Sequence, residues 1–308
     1  MVFQTKPQIA LDLIDRALAN GVLVCAWTFD ELYGRNSQFL DGLQARKQAY
    51  VAEIPSNTCV WTKKPQVIHQ PSERGSRQRI PHIPRPPKAS QVRNLLKHSD
   101  KFHQQSWQRY RVKDTRQGPE VWEIKWLKIW RKTADKLPST QQTLIIARNV
   151  RTGEVKYFLS NQVVGREGVT LRWLLRVAFG RWSIEACFRT AKEELGLDHF
   201  EVRGWRCIHR HYYLTGLSFL LCSRIRQSLD SNQTGALSVE QVRSSLNCYL
   251  QYHDLPPLVR DAAFQQELED QQYYQSRNEQ ARKSHTKTRI EQYQQLGIDV
   301  DHIKTCIP

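Results

Sequence analysis

The chain has 308 residues, of which 40% are hydrophobic and 25% charged, so it can bury one large core or two moderate ones as a globular protein. A formal net charge of +16 and a pI near 9.7 indicate a polyanionic partner, either nucleic acid or an anionic membrane surface. No apolar run reaches about 18 residues, and the first residues lack the apolar stretch of a signal peptide, which argues against a membrane partner. We therefore expect a cytoplasmic, nucleoid-associated protein that binds nucleic acid.

The beginning of the chain predicts helix, strand, helix and strand, in that order. Pro7 suits the first turn of a helix, and Gly21 supplies its stop. Residues 22–27 are continuously apolar, as expected of a strand that is buried on both faces in a parallel sheet. Residues 37–46 predict a second helix, and residues 50–54 predict the next strand.

Asp30 lies just past the carboxyl end of the first predicted strand. Ligand-handling residues of open α/β sheets gather at that edge. Gly34 permits the sharp turn by which the chain leaves the strand. Asp30 is therefore the first acidic candidate for a functional site.

Positive charge is concentrated between residues 63 and 113, where thirteen Lys or Arg stand against two acids. Six of the 13 prolines lie in the same stretch, so its first half is predicted to be extended and irregular rather than helical. It is either a disordered basic linker or an ordered groove, and both forms would bind phosphates with a steep salt dependence. The cations that we expect to contact DNA here are Arg74, Arg77, Arg79, Arg85 and Lys88.

The middle of the chain predicts a β-rich insertion. Residues 121–126 alternate between polar and apolar side chains, which is typical of a strand. Residues 143–148 and 154–159 flank a turn-forming segment over 149–153, which is a hairpin signature.

A helix is predicted over residues 170–195, and it carries Arg181, Glu185, Phe188 and Lys192 on one stripe. A carboxylate between two cations on its own face can hold a metal ion while its neighbours hold phosphate oxygens. The alternative is an ordinary amphipathic helix with solvated ion pairs, which is a very common arrangement.

The last third of the chain is predicted to be helical. A helix over 208–229 is apolar on most sides and should be buried, and residues 238–250 predict a last packed helix. Residues 264–296 are rich in Gln and charge, which predicts either an exposed helix or a mobile tail.

Two of these segments resemble insertion-sequence DDE transposases. The run from Trp27 through Asp30 to Gly34 resembles the second-aspartate segment of that family. The run over residues 181–205 is similar to its third-acid helix, whose signature is Y-x2-R-x3-E-x6-K. The three charged residues of the signature fit this chain, whereas Ala178 stands at the tyrosine position. The resemblance covers about residues 1–250.

The resemblance implies an α/β fold with a ribonuclease H-like core that the β-rich insertion interrupts. In such a core, two aspartates and one glutamate hold two magnesium ions for phosphodiester attack on DNA at transposon ends. By position, Asp30 would be the second acid and Glu185 the third, both as catalytic metal ligands. Arg181 and Lys192 would hold phosphates of the cut strand. For three tryptophans the resemblance suggests stacking on an unpaired base, with sheet core as the favoured alternative: Trp122, Trp126 and Trp130.

The first aspartate of the family belongs to a three-strand meander that precedes the helix at Pro7. Only six residues stand before Pro7, whereas a meander needs about 20 to 30. We therefore expect an incomplete core without its first three strands. This predicts a truncated or split transposase that is inactive alone and regains activity only with a separate polypeptide.

A non-catalytic DNA-binding remnant that occupies transposon ends is the alternative hypothesis, and a homo-oligomer is compatible with both. The expected segments are 1–54 for the first part of the core and 55–167 for the insertion. Residues 168–255 would form the helical part with the Glu helix, and 256–308 a polar tail.

Overall fold

The structure is a computed structural model, and it describes residues 3–71, 79–84, 87–230 and 237–306. The chain forms two compact units. The first comprises Met1–Arg181 and Thr286–Pro308, and the second comprises Trp182–His285. The chain therefore leaves the first unit, builds the second and returns. The division into four segments that the sequence suggested remains a prediction.

The first helix, α1 (Lys6–Ala19), ends at the predicted glycine. Gly21 has φ +75°, and the N–H of Val22 donates to the carbonyl of Ala17 at 3.0 Å, which closes the helix end. The prediction of a strand over residues 22–27 was wrong, because Val22 is used in this cap and lies exposed. The strand β1 is shorter and begins later, at Trp27–Phe29.

Strand β1 pairs in parallel with β2 (Tyr50–Glu53), as predicted, and Phe29 lies opposite Ala52. Two helices, α2 (Glu31–Gly34) and α3 (Ser37–Ala45), form the connection between the strands. Parallel strands need such a crossover because the end of the first strand and the start of the second lie at opposite edges of the sheet.

Most of the remaining strands extend this pair into a mixed sheet. The remaining strands are β3 (Cys59–Trp61), β4 (Ile68–Pro71), β5 (Arg79–His82), β6 (Ser90–Gln91), β7 (Gln108–Thr115), β8 (Gly118–Lys132), β9 (Pro138–Asn149), β10 (Val155–Ser160) and β11 (Lys304–Thr305). In the described part of the chain the sheet order is β1-β2-β10-β9-β8-β3-β6, with β7 on β8 and β11 on β7. Strands β4 and β5 form a separate hairpin.

The predicted hairpin in the middle of the chain is confirmed as β9 and β10, which pair antiparallel. Asn149 organises the turn, because its side-chain oxygen accepts from the N–H groups of Arg151 and Thr152 at 2.9 and 3.1 Å. Gly153 completes the turn with φ +73°, a conformation that glycine adopts without strain.

Helices cover both faces of the sheet. On one face, α1, α3, α4 (Val92–His98) and α5 (Asp100–His103) contribute to the same hydrophobic core as Tyr50 and Ala52. On the other face, α6 (Leu171–Gly180) packs on Val51. Successive residues of β2 thus enter opposite cores, as the alternation of a strand requires. The fold is mixed α/β and compatible with the expected ribonuclease H-like core.

The end of the chain, from Thr286 onward, belongs to the first unit. Helix α10 (Pro257–Gln295) is exposed over most of its length, but Arg289 and Tyr293 are buried near its end. The phenol oxygen of Tyr293 accepts from the N–H of Val121 at 3.0 Å, and Arg289 bonds to the β7–β8 turn. Of the two alternatives for residues 264–296, the helix is therefore correct.

The second unit contains α7 (Trp182–Leu195), α8 (Trp205–Asp230), α9 (Val239–Tyr252) and the first part of α10. Its core is small, with Cys222, Val239 and Val242 at the centre. The predicted helix over 170–195 is two helices with Arg181 between them. The first helix ends at Gly180, the residue type with the lowest helix propensity after proline.

The prediction that the helix over 208–229 is buried was wrong. Leu214 and Leu217 on α8 are 66% and 62% exposed, whereas Thr215 and Cys222 are buried. Helix α8 therefore buries only a narrow stripe of side chains, on the face that contacts α7 and α9. Apolar composition alone could not reveal that the opposite face lacks a covering element among the described residues. None of the helices in those residues has the length and apolarity needed to cross a membrane.

Candidate active site

Asp30 lies at the carboxyl end of β1, as predicted, and begins α2. Its Oδ1 atom accepts from the N–H of Leu32 at 3.0 Å, so the carboxylate caps the helix. The residue is exposed, and within the described ranges no hydrogen bond reaches its Oδ2 atom. One carboxylate oxygen therefore fixes the side chain while the other faces solvent.

An aromatic cluster beneath Asp30 holds the loop in place. Phe29 packs edge-on against Phe39 with ring centroids 5.0 Å apart, and Tyr33 lies 5.3 Å from Phe39. Tyr50 completes the cluster from β2, 5.9 Å from Phe29. Burial raises the pKa of Tyr50 to about 12, and its hydroxyl accepts from the amide of Gln142 at 3.0 Å. Tyr50 is thus uncharged at neutral pH.

Gly34 packs against the end of β2. A Cβ atom at this position would lie 1.9 Å from the carbonyl oxygen of Glu53, so the backbone of α2 sits directly on the neighbouring strand. The sequence indicated only a sharp turn at Gly34. The structure gives a stronger reason for glycine, which is the close approach of two backbones.

A polar cleft of about 390 Å³ opens at the same edge of the sheet, and sequence reasoning missed it. Glu31 and Glu53 line it together with Arg93 and Lys156. The ammonium of Lys156 lies 3.2 Å from a carboxylate oxygen of Glu53. Glu53 is the last residue of β2, which is the parallel neighbour of β1. Like Asp30, it therefore lies at the carboxyl edge of the strands, where ligand-handling residues gather.

The second acidic candidate, Glu185, lies in the first turn of α7 in the second unit, and it is exposed. Lys192 follows two turns later on the same helix, and its ammonium lies 3.7 Å from a carboxylate oxygen of Asp198. Arg181 belongs to the first unit, where it follows α6 as the C-terminal cap residue. The predicted stripe therefore spans the end of one helix and the start of another.

The predicted DNA contacts are described only in part. Arg79 and Lys88 are exposed, whereas three predicted contacts lie outside the described residues: Arg74, Arg77 and Arg85. Trp122 is buried and packs against Phe179 with ring centroids 5.1 Å apart, which is the sheet-core role that the sequence favoured.

Asp30 and Glu185 fit magnesium in the type of ligand, because hard divalent cations prefer carboxylate oxygens. They do not suffice in number for two ions. The described residues contain no group of three or more His, Cys, Asp or Glu side chains that could hold a metal ion.

Residues 1–119 match the family model of the DDE superfamily endonucleases. This match supports a DDE transposase or nuclease family. It contains β1, Asp30, β2 and the basic segment, and it ends before Glu185. The family implies a DNA substrate, and its nucleases generally use divalent metals. No curated protein matches the chain.

Proposed function

We propose that this chain is the transposase of an insertion sequence, or one part of it, and that it supports metal-dependent cleavage and transfer of DNA strands. The observation that carries the proposal is Asp30, an exposed carboxylate at the carboxyl end of β1, inside a segment that matches DDE superfamily endonucleases. The charge of +16 favours a polyanionic substrate independently of that match.

In this proposal Asp30 and Glu185 are the metal ligands. Bound magnesium would activate the attacking oxygen and stabilise the leaving oxygen of an in-line displacement. Arg181 and Lys192 hold phosphate oxygens of the strand that is cut, Arg181 through its planar fork and Lys192 as a point charge. Lys192 exchanges its long contact with Asp198 for the phosphate, which is favourable because a 3.7 Å pair between half-exposed groups is weak.

The third carboxylate, in our proposal, comes from a strand at the free edge of β1. Among the described residues, β1 pairs only with β2, so its other edge presents unpaired N–H and C=O groups. Such an edge is a template for another strand. A strand added there runs beside Asp30, which favours a split enzyme whose missing acid is supplied by a separate polypeptide.

An excision assay tests the proposal. One plasmid carries a selectable marker between the genomic DNA segments that flank the reading frame, and a second expresses the chain with its upstream genomic sequence. We expect excision, and we expect Asp30→Ala and Glu185→Ala each to reduce it by about 100-fold or more. The matched control is Glu193→Ala, which removes an exposed neighbouring acid on α7 and should retain excision.

The same assay separates the alternatives. The chain expressed from Met1 without the upstream sequence should bind the flanking DNA but not excise the marker. Retained excision by Asp30→Ala and Glu185→Ala at the level of the control would refute the assigned roles. Binding of the flanking DNA without excision in either arrangement would instead favour the non-catalytic DNA-binding remnant, for which the basic segment alone is sufficient.

A further inference from the structure

Strands β4 and β5 form a two-stranded ribbon that stands apart from the mixed sheet. All four residues of β5 are exposed, and Ile80 among them is 46% exposed. Among the described helices and strands, each strand of the ribbon packs extensively only on the other. A two-stranded hairpin by itself is marginally stable in water, so this ribbon gains stability when it docks on a partner.

The base of the ribbon is fixed to the body of the first unit. Pro65 lies three residues before β4 and is buried, and Ile83 follows β5 directly and is 7% exposed. The indole N–H of Trp61 on β3 donates to the carbonyl oxygen of Pro87 at 2.8 Å, which ties the chain after the ribbon to the mixed sheet. The ribbon is therefore held at its base while β5 stays exposed.

Charge indicates the kind of partner that fits the ribbon. Residues 63–88 contain seven Lys or Arg and one acid. Among the described residues of this stretch, Lys63, Lys64, Arg79 and Lys88 are exposed, so the surroundings of the ribbon complement a polyanion. A β-strand of another protein is a poor partner, because Pro81 in β5 has no N–H to offer to an added strand.

The width of the ribbon selects among the grooves of nucleic acids. Its two backbones lie about 4.8 Å apart, and the side chains add to that width. The major groove of B-DNA is about 12 Å wide and admits a two-stranded ribbon, whereas the minor groove is about 6 Å wide. The major groove of double-stranded RNA is deep and narrow, which excludes the ribbon. Duplex DNA is therefore the polyanion that fits.

The register of the ribbon separates its two faces. Ile68 lies opposite His82, and His69 lies opposite Pro81. Because side chains alternate along a strand, Ile80 and His82 share one face of β5 and Arg79 lies on the other. An apolar side chain can contact the methyl group of thymine, and an imidazole ring can form a hydrogen bond with a base edge. The face with Ile80 and His82 therefore suits the reading of bases.

We propose that the β4–β5 ribbon enters the major groove of duplex DNA and reads the base sequence through Ile80 and His82. Arg79, on the opposite face, holds a backbone phosphate. The ribbon thereby gives the chain a sequence preference, which phosphate contacts alone cannot supply because phosphates are the same in every sequence. The inference rests on the DNA substrate of the proposed function, but it involves neither Asp30 nor Glu185 nor a metal ion.

Selection by the full chain from a pool of random-sequence DNA duplexes, in EDTA, tests the reading. We expect the wild type to enrich a motif, and we expect the double variant Ile80→Ser, His82→Ala to lose preference for that motif over a scrambled duplex by about tenfold or more. The variant should keep the salt dependence of wild-type binding, because its phosphate contacts remain. The matched control is Ile9→Ser, His98→Ala, which changes an exposed Ile and an exposed His elsewhere in the first unit and should enrich the wild-type motif.

Replacement of thymine by uracil in the selected motif tests the groove. It removes a methyl group from the major groove and leaves the minor groove unchanged. We expect weaker binding by the wild type, whereas Ile80→Ser should bind both duplexes equally. Double-stranded RNA with the motif sequence should compete only weakly.

Four results would each overturn the inference. They are a wild type that enriches no motif, a double variant with unchanged preference, wild-type binding that is insensitive to uracil, and RNA that competes equally with DNA. Because EDTA removes metal ions, these results do not depend on strand cleavage, which the excision assay tests separately.

Discussion

Gly34 on α2 faces the carbonyl oxygen of Glu53 at the end of β2, and a Cβ atom at position 34 would lie 1.9 Å from that oxygen. This contact joins the residues that follow β1 to the neighbouring parallel strand. It therefore fixes the helix that Asp30 caps, and with it the direction of the Asp30 carboxylate.

Gly34→Ala should destabilise the protein by about 3 kcal/mol, because the added methyl group meets backbone that cannot move without disturbing the sheet. The free energy of unfolding from urea titration measures the effect. Gly180→Ala is the control, since a Cβ atom there meets nothing within 4 Å and alanine favours the helix. Equal stabilities of the two variants would show that the contact with Glu53 is unimportant.

The hydroxyl of Tyr293 links the end of α10 to β8. Tyr293→Phe removes the acceptor of the Val121 N–H and leaves a buried donor unsatisfied, so we expect a loss of about 1–3 kcal/mol. Hydrogen exchange at the Val121 amide should accelerate as well. Tyr274→Phe, on an exposed part of the same helix, should change neither quantity. Unchanged exchange at Val121 would contradict the prediction.

Local signals in the sequence predicted the parts of the fold that depend on near neighbours. The hairpin around Asn149 and the position of Asp30 after β1 follow from turn chemistry and strand patterning over a few residues. The bond between Tyr293 and Val121 joins residues 172 positions apart, and no local pattern encodes it. For the same reason, the apolar character of α8 could not distinguish a buried helix from one with an exposed apolar face.

In the candidate site, too, local sequence patterns revealed only some of the residues. Asp30 could be found because it follows an apolar run directly, and Glu185 because its neighbours match a spaced signature. The polar cleft with Glu53 and Lys156 could not be found in this way, since it depends on the pairing of β2 with β10. Membership of a sheet edge is a property of the assembled strands rather than of any one segment.

Stability should fall at high pH through Tyr50. Burial raises its pKa from 10.0 to about 12, so the neutral phenol is favoured in the folded state. The contribution of Tyr50 to the free energy of unfolding is fully present below pH 10, which is the pKa of tyrosine in the unfolded chain. It is lost as the pH rises through about 12. We expect the free energy of unfolding of the wild type to decrease over this interval more steeply than that of Tyr50→Phe. Parallel pH profiles of the two proteins would contradict this expectation.

DNA binding should depend on salt through the basic segment. Arg79 and Lys88 are exposed there, and each phosphate contact that they make releases about one counterion. The double variant Arg79→Ala, Lys88→Ala should therefore reduce the slope of log K against log salt by about 2, with a similar loss on every duplex sequence. Fluorescence anisotropy over a salt series measures the slope. Lys6→Ala removes an exposed cation from α1, outside the segment, and should leave the slope unchanged. If the double variant and Lys6→Ala gave equal slopes, the segment would not be the phosphate-binding surface, and the positive charge elsewhere on the chain would have to account for DNA affinity.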